Sequence, residues 1–74
     1  MSESRLTVPE MSCDACRTTI EGALTALPGV ASVSVDLESK FVSVQHDANE
    51  SSIDRLAEAV TEQGYEVTAR EAQG

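Results

Sequence analysis

Cys13 and Cys16 are the only two cysteines in this 74-residue chain, and they stand three positions apart in the run Met11-Ser12-Cys13-Asp14-Ala15-Cys16. Two thiols at that spacing, placed where a loop enters a helix, can act as paired thiolates on one soft ion. Soft sulfur donors suit Cu(I), zinc and iron–sulfur clusters. Ligand number narrows that choice, because a closed zinc site takes four ligands and a cluster generally takes four cysteines. This chain offers two cysteines and a single histidine, His46. Cu(I) is the common ion most content with two thiolates in near-linear geometry. That geometry sets the sulfurs roughly 4–5 Å apart, about twice a metal–thiolate bond of ~2.3 Å.

A helix start helps electrically. Two thiolates on one cuprous ion leave a net negative charge, which the positive helix end and its unpaired N–H groups favour. The same field favours the thiolate form of Cys16. Asp14, between the cysteines, works against this, and the helix is expected to win while Asp14 stays solvated. By spacing alone the pair could also be an incidental, reversibly oxidised dithiol or a thioredoxin-like redox motif. The latter needs a longer βαβ scaffold than 74 residues in this element order supply.

The elements that must hold the pair follow from hydrophobic period. Residues 4–8 alternate, with Leu6 and Val8 on one side, and Pro9 ends that strand. Residues 10–14 form a loop. Over residues 15–26 the apolar positions Cys16, Ile20, Ala23, Leu24 and Leu27 make one helical stripe. Gly22 costs that helix up to about 1 kcal/mol against Ala, a cost that close approach of a neighbour would offset. Pro28-Gly29 makes the exit turn. Residues 30–36 and 40–46 alternate again, joined by a hairpin loop at residues 37–39, with Phe41 on the outer face of the sheet. Residues 47–52 form a polar link in which Ser51 and Asp54 resemble a capping box. Ile53, Leu56, Ala57 and Val60 then give a second helical stripe, while Asp54, Glu58 and Glu62 face solvent. Gly64 suits the left-handed position that ends this helix. Tyr65 and Val67 read as a last strand, and residues 70–74 as a frayed tail.

Strand-helix-strand-strand-helix-strand, with one apolar face per element, predicts an α+β fold. It is the ferredoxin-like βαββαβ sandwich, an antiparallel four-stranded sheet with two helices on one face. The chain reads as one domain, residues 1–74 with a core at about 4–69. A chain of this size buries only ~60% of its unfolded surface and keeps a small stability margin.

Composition excludes other functions. Thirteen acidic against five basic residues give a net charge of −8, and Phe41 and Tyr65 are the only aromatics. Nucleic acid and anionic membrane are repelled, and the exposed aromatics of RNA-binding sheets are missing. A partner with a basic docking face would be steered inward, less strongly as salt rises. No apolar run approaches the ~20 residues of a membrane span, and the first ten residues lack a signal peptide's pattern, so a reducing cytosol is expected. The opening Met1-Ser2-Glu3 and the short tail after Arg70 read as a complete chain rather than a module of a transporter. His46 is expected at a strand end facing water, not as a ligand.

Met11-Ser12-Cys13-Asp14-Ala15-Cys16 resembles the MxCxxC motif of heavy-metal-associated domains, and Gly64-Tyr65 matches their late loop. The likeness spans roughly residues 4–69 in the same element order. Within the family it is to the bacterial CopZ-type copper chaperones. The resemblance implies that Cys13 and Cys16 bind Cu(I), that Met11 packs inward and anchors the loop, and that Tyr65 shields the metal. It implies a carrier rather than an enzyme, with a copper-exporting P-type ATPase or a copper-sensing repressor as partner. Zinc-type relatives often place Asp before the first cysteine. Ser12 there favours copper, while Asp14 leaves a divalent ion open. A monomer is expected without metal. A copper-bridged dimer for sensing or storage and a zinc- or mercury-binding domain are the alternatives.

Overall fold

The computed structural model describes residues 2–11 and 13–72; Ser12, with its bearing on metal choice, and the end of the expected tail at Gln73 and Gly74 lie outside the described residues. The elements are β1 (Ser2–Thr7), α1 (Asp14–Thr25), β2 (Val30–Asp36), β3 (Phe41–His46), α2 (Ile53–Glu62) and β4 (Ala69–Ala72). The four strands form one sheet in the order β2-β3-β1-β4, antiparallel at each pairing. The ferredoxin-like βαββαβ architecture is as the periodicity predicts.

Alternation decides which face of the sheet is buried. Leu6 pairs with Val42, which also faces Val35, and Val44 faces Val33. These side chains meet Ile20 and Leu24 of α1 and Leu56, Ala57, Ala59 and Val60 of α2 in one aliphatic core that also takes in Val8 and Met11. On the opposite face the Arg5 guanidinium lies 4.6 Å from the Phe41 ring centroid, which confirms Phe41 as outward. A bulge at Ala31 shifts the β2–β3 register next to the α1–β2 turn.

The turns depart from the sequence reading in four places. The β2–β3 loop gains its rigidity from Asp36, whose Oδ1 accepts the Glu38 and Ser39 N–H groups at 3.0 and 3.1 Å. Lys40 belongs to this turn, with φ +64°, and the third strand starts one residue later. Ser52, not Ser51, caps α2, accepting the Arg55 N–H at 3.3 Å, while the Ser51 hydroxyl donates to the Pro28 carbonyl at 2.7 Å. Gly22 has no close neighbour, since a Cβ there would meet nothing within 4 Å.

The fourth departure is β4. It runs over Ala69–Ala72, into the stretch from residue 70 where a tail was expected, and residues 65–68 carry no regular structure. Tyr65 and Val67 still turn toward the core, so their alternation is real but belongs to a bridging segment. Gly64, at φ +94°, ends α2 as expected, its N–H bonding the Thr61 carbonyl at 2.9 Å.

His46 is also corrected. It is buried, only 1% exposed, and its ring bridges Ser4 Oγ and the Ser51 carbonyl, both at 2.8 Å. A carbonyl can only accept, so Nδ1 carries the proton toward Ser51. In the neutral ring Nε2 then accepts from the Ser4 hydroxyl. Among the described residues no helix is long and apolar enough to cross a membrane.

Candidate metal centre

The loop leaving β1 turns back at once, because Pro9 cannot extend the ladder and the Met11 N–H bonds the Val8 carbonyl at 3.1 Å. That turn drops Met11 fully into the core. Cys13 follows in extended geometry as the N-cap of α1, with its carbonyl accepting the Arg17 N–H at 3.1 Å. One helical turn later Cys16 lies on the inner side of α1, partly buried against the core. Cys13 is exposed, neither cysteine is in a disulfide, and the two sulfurs lie 3.1 Å apart in a hydrogen bond.

That separation is shorter than the roughly 4–5 Å span of a linear two-sulfur ion. Two thiols draw together to share a proton, a contact that has no counterpart once both sulfurs face one cation. Cys13, being exposed, has the freedom to turn outward, while packing holds Cys16.

Five contacts fix the surroundings. Lys40 Nζ donates to the Met11 carbonyl at 2.8 Å, and the Lys40 carbonyl accepts the Val8 N–H, also at 2.8 Å. One residue thus ties both ends of the 8–11 turn to the β2–β3 loop. Glu10 Oε1 accepts the Glu66 N–H at 2.8 Å, joining the same turn to the segment before β4. The Tyr65 phenol pKa is raised above its ordinary value, first by side-chain hydrogen bonding to Cys16, then by desolvation and by Cys16, Cys13 and Glu10 when they are ionised. Asp14 pairs with Arg17 at 3.5 Å across exposed surface, which softens its charge beside the dithiol.

Cys13, Cys16 and Tyr65 therefore come together with Met11 beneath them, whereas His46 sits at the other end of β3. Among the described residues no three His, Cys, Asp or Glu side chains are grouped so as to hold a metal ion. Sequence reasoning missed Lys40 and Glu10. Lys40 gave one signal, a lone cation between a turn and a strand in an acidic chain. Glu10 gave none, because its partner is a backbone amide 56 residues away.

A ferredoxin-like sandwich with an exposed dithiol at the junction of its first strand and helix defines a class of small metal-carrying domains. This chain belongs to the heavy-metal-associated domain family, whose model matches residues 5–66. Members of that family are metal-binding carriers rather than enzymes. The chain is 45% identical over 62 residues to a copper chaperone CopZ of Staphylococcus haemolyticus, covering 84% of this chain and 91% of that one. Its structure matches a CopZ metallochaperone with a TM-score of 0.88 at 39% identity, over 90% of this chain and 100% of the other. It also matches the N-terminal domain of a potential copper-translocating P-type ATPase from Bacillus subtilis in its Cu(I)-loaded state. There the TM-score is 0.87 at 32% identity, over 99% and 92% of the two chains.

Proposed function

We propose that this protein is a single-domain cytosolic Cu(I) chaperone, with Cys13 and Cys16 as ligands, Met11 as anchor and Tyr65 as shield. The observation that carries the reading is the thiol pair at the start of α1, its sulfurs 3.1 Å apart outside any disulfide, with no third His, Cys, Asp or Glu grouped beside it among the described residues. Two soft donors in that position suit a monovalent cuprous ion and leave a divalent ion under-coordinated. The names of its relatives support copper as cargo, and the Cu(I)-loaded structural relative supports the oxidation state.

Loading begins with Cys13 turning outward, so that the sulfurs part and both face the ion. Each thiol gives up its proton as its sulfur binds. Delivery is ligand exchange with the CxxC module of a copper-transporting P-type ATPase. A partner thiolate attacks the ion, a three-coordinate intermediate forms, and the exposed Cys13 sulfur leaves before the packed Cys16 sulfur. Protons released by the partner's thiols balance those regained here, and no electron moves. The ion is never released to water, so tight binding and ready transfer coexist.

The test is anaerobic competition of the reduced protein for Cu(I) and for Zn(II) against a chelator of known strength. Wild type is expected to take one Cu(I) per chain and to hold Zn(II) far more weakly. Cys13→Ser and Cys16→Ser should each lose most of the Cu(I) affinity. A double serine variant that binds Cu(I) as well as wild type overturns the assignment.

A further inference from the structure

We propose that Glu10 is a positioning residue, a latch that holds Tyr65 against Cys16 and thereby slows opening of the dithiol; the proposal rests on the carrier reading above. Glu10 directly precedes Met11, which the core immobilises, and its carboxylate grips the N–H of Glu66, the residue directly after Tyr65. The bond therefore joins a fixed point on one side of the metal loop to the backbone that carries the phenol.

The gripped segment lies outside the regular elements. Its ends are held where Gly64 N–H meets the Thr61 carbonyl and where Thr68 N–H meets the Thr7 carbonyl, each at 2.9 Å. Between them residues 65–67 lie outside both α2 and the β4 ladder. An open groove lined by Glu10, Thr61, Gly64, Tyr65, Glu66 and Val67 leaves room for the segment to shift. Gly64 at φ +94°, with nothing within 4 Å of where a Cβ would stand, is a ready pivot. With the carboxylate in place, Tyr65 stays bonded to the Cys16 sulfur. Without it the phenol swings away and Cys16, the sulfur held last in transfer, becomes open to attack.

A carboxylate also brings charge, so the experiment separates the bond from the charge. Glu10→Ala removes both, whereas Glu10→Gln removes the charge and keeps an oxygen that can accept the Glu66 N–H. The full chain is studied anaerobically in two ways. The first is the rate at which a cuprous chelator extracts Cu(I). The second is the fluorescence of the metal-free protein, in which Tyr65 is the only tyrosine and there is no tryptophan. Contact with sulfur quenches phenol emission, so this signal reports the latch without any metal.

Glu10→Ala is expected to speed extraction by about three- to tenfold, the range that one net hydrogen bond spans, and to brighten Tyr65. Glu10→Gln should remain within about twofold of wild type in both. Equal acceleration in the two variants would show that charge acts rather than the bond, and unchanged Ala would show no latch; either result overturns the proposal. Failure of wild type to capture Cu(I) would sink the carrier reading instead, while the metal-free emission would still judge the latch.

Discussion

The Lys40 ammonium donates to the Met11 carbonyl at 2.8 Å, so the residue two positions before Cys13 is gripped from a turn 29 residues further along the chain. The same residue accepts the Val8 N–H through its own carbonyl. It does so in a left-handed conformation, φ +64°, that L-residues adopt at a cost of about 1–2 kcal/mol. A strained backbone and a part-buried charged hydrogen bond coincide under the loop that carries both cysteines.

Substitution of Lys40 separates these two contributions. Lys40→Ala loses the ammonium and keeps the strained backbone, and is expected to cost about 1.5–3 kcal/mol, the worth of a charge-assisted hydrogen bond. Lys40→Gly loses the same bond but relieves the φ strain, and should be about 1 kcal/mol more stable than Lys40→Ala. Urea unfolding of the metal-free proteins measures both. Equal stability of the two variants would show that the positive φ costs nothing here.

Much of this was legible in the residues because burial follows period. Leu6, Val42 and Val44 alternate onto the inner face, and the stripes of α1 and α2 are on their expected sides. The dithiol was legible because its chemistry is local in sequence. His46 was misread, and its partner Ser4 not singled out, for an instructive reason. Both continue the buried alternation of their strands, yet polarity suggested water, and only the third dimension brings Ser4 Oγ and the Ser51 carbonyl to the two ring nitrogens. Ala59 was missed on the buried face of α2 because a small side chain adds little to a stripe. Ser51 and Ser52 were indistinguishable as caps, since either hydroxyl could close the helix and only the reach to the Pro28 carbonyl assigns Ser51 elsewhere. Contacts through backbone atoms, such as Glu10 with the Glu66 N–H, leave no trace in residue type.

Gly22 sits in the middle of α1, exposed, with open space where a Cβ would stand. Nothing offsets its entropic cost, so Gly22→Ala should stabilise the protein by about 1 kcal/mol. In a domain of this size that raises the thermal midpoint by roughly 4–8 °C. Thermal unfolding by circular dichroism reads it directly, and a lowered midpoint would reveal a neighbour the geometry does not show.

The buried His46 network should matter for stability and not for copper. Ser4→Ala strips one ring nitrogen of its partner and is expected to cost about 1–3 kcal/mol, the usual penalty of an unsatisfied buried polar atom. His46→Ala adds a cavity, opens the Ser51 carbonyl and should cost more. The ring lies at the opposite end of β3 from Phe41, about 17 Å away at ~3.3 Å per residue. Cuprous titrations of either variant should therefore still reach one ion per chain, at temperatures where it remains folded. A fall in stoichiometry for folded His46→Ala would place the imidazole in the metal site after all.

Charge sets the last expectation. All five basic side chains are engaged within the molecule: Arg17 with Asp14, Arg55 with Glu58, Arg70 with Asp54, Lys40 with the Met11 carbonyl, and Arg5 over Phe41. The surplus acids, Glu10 and Glu66 beside Tyr65 among them, therefore dominate the potential a partner meets. Such a surface steers a basic docking face by long-range attraction, which salt screens as the Debye length falls from about 10 Å at 0.1 M to 3 Å at 1 M. The association rate with a partner CxxC module should then drop by about tenfold or more over that range. The dissociation rate, set by short contacts and the bridging ion, should move much less. Stopped-flow mixing of the loaded protein with the module at several salt concentrations separates the two rates. A flat association rate would mean that the acidic surplus serves solubility and plays no part in docking.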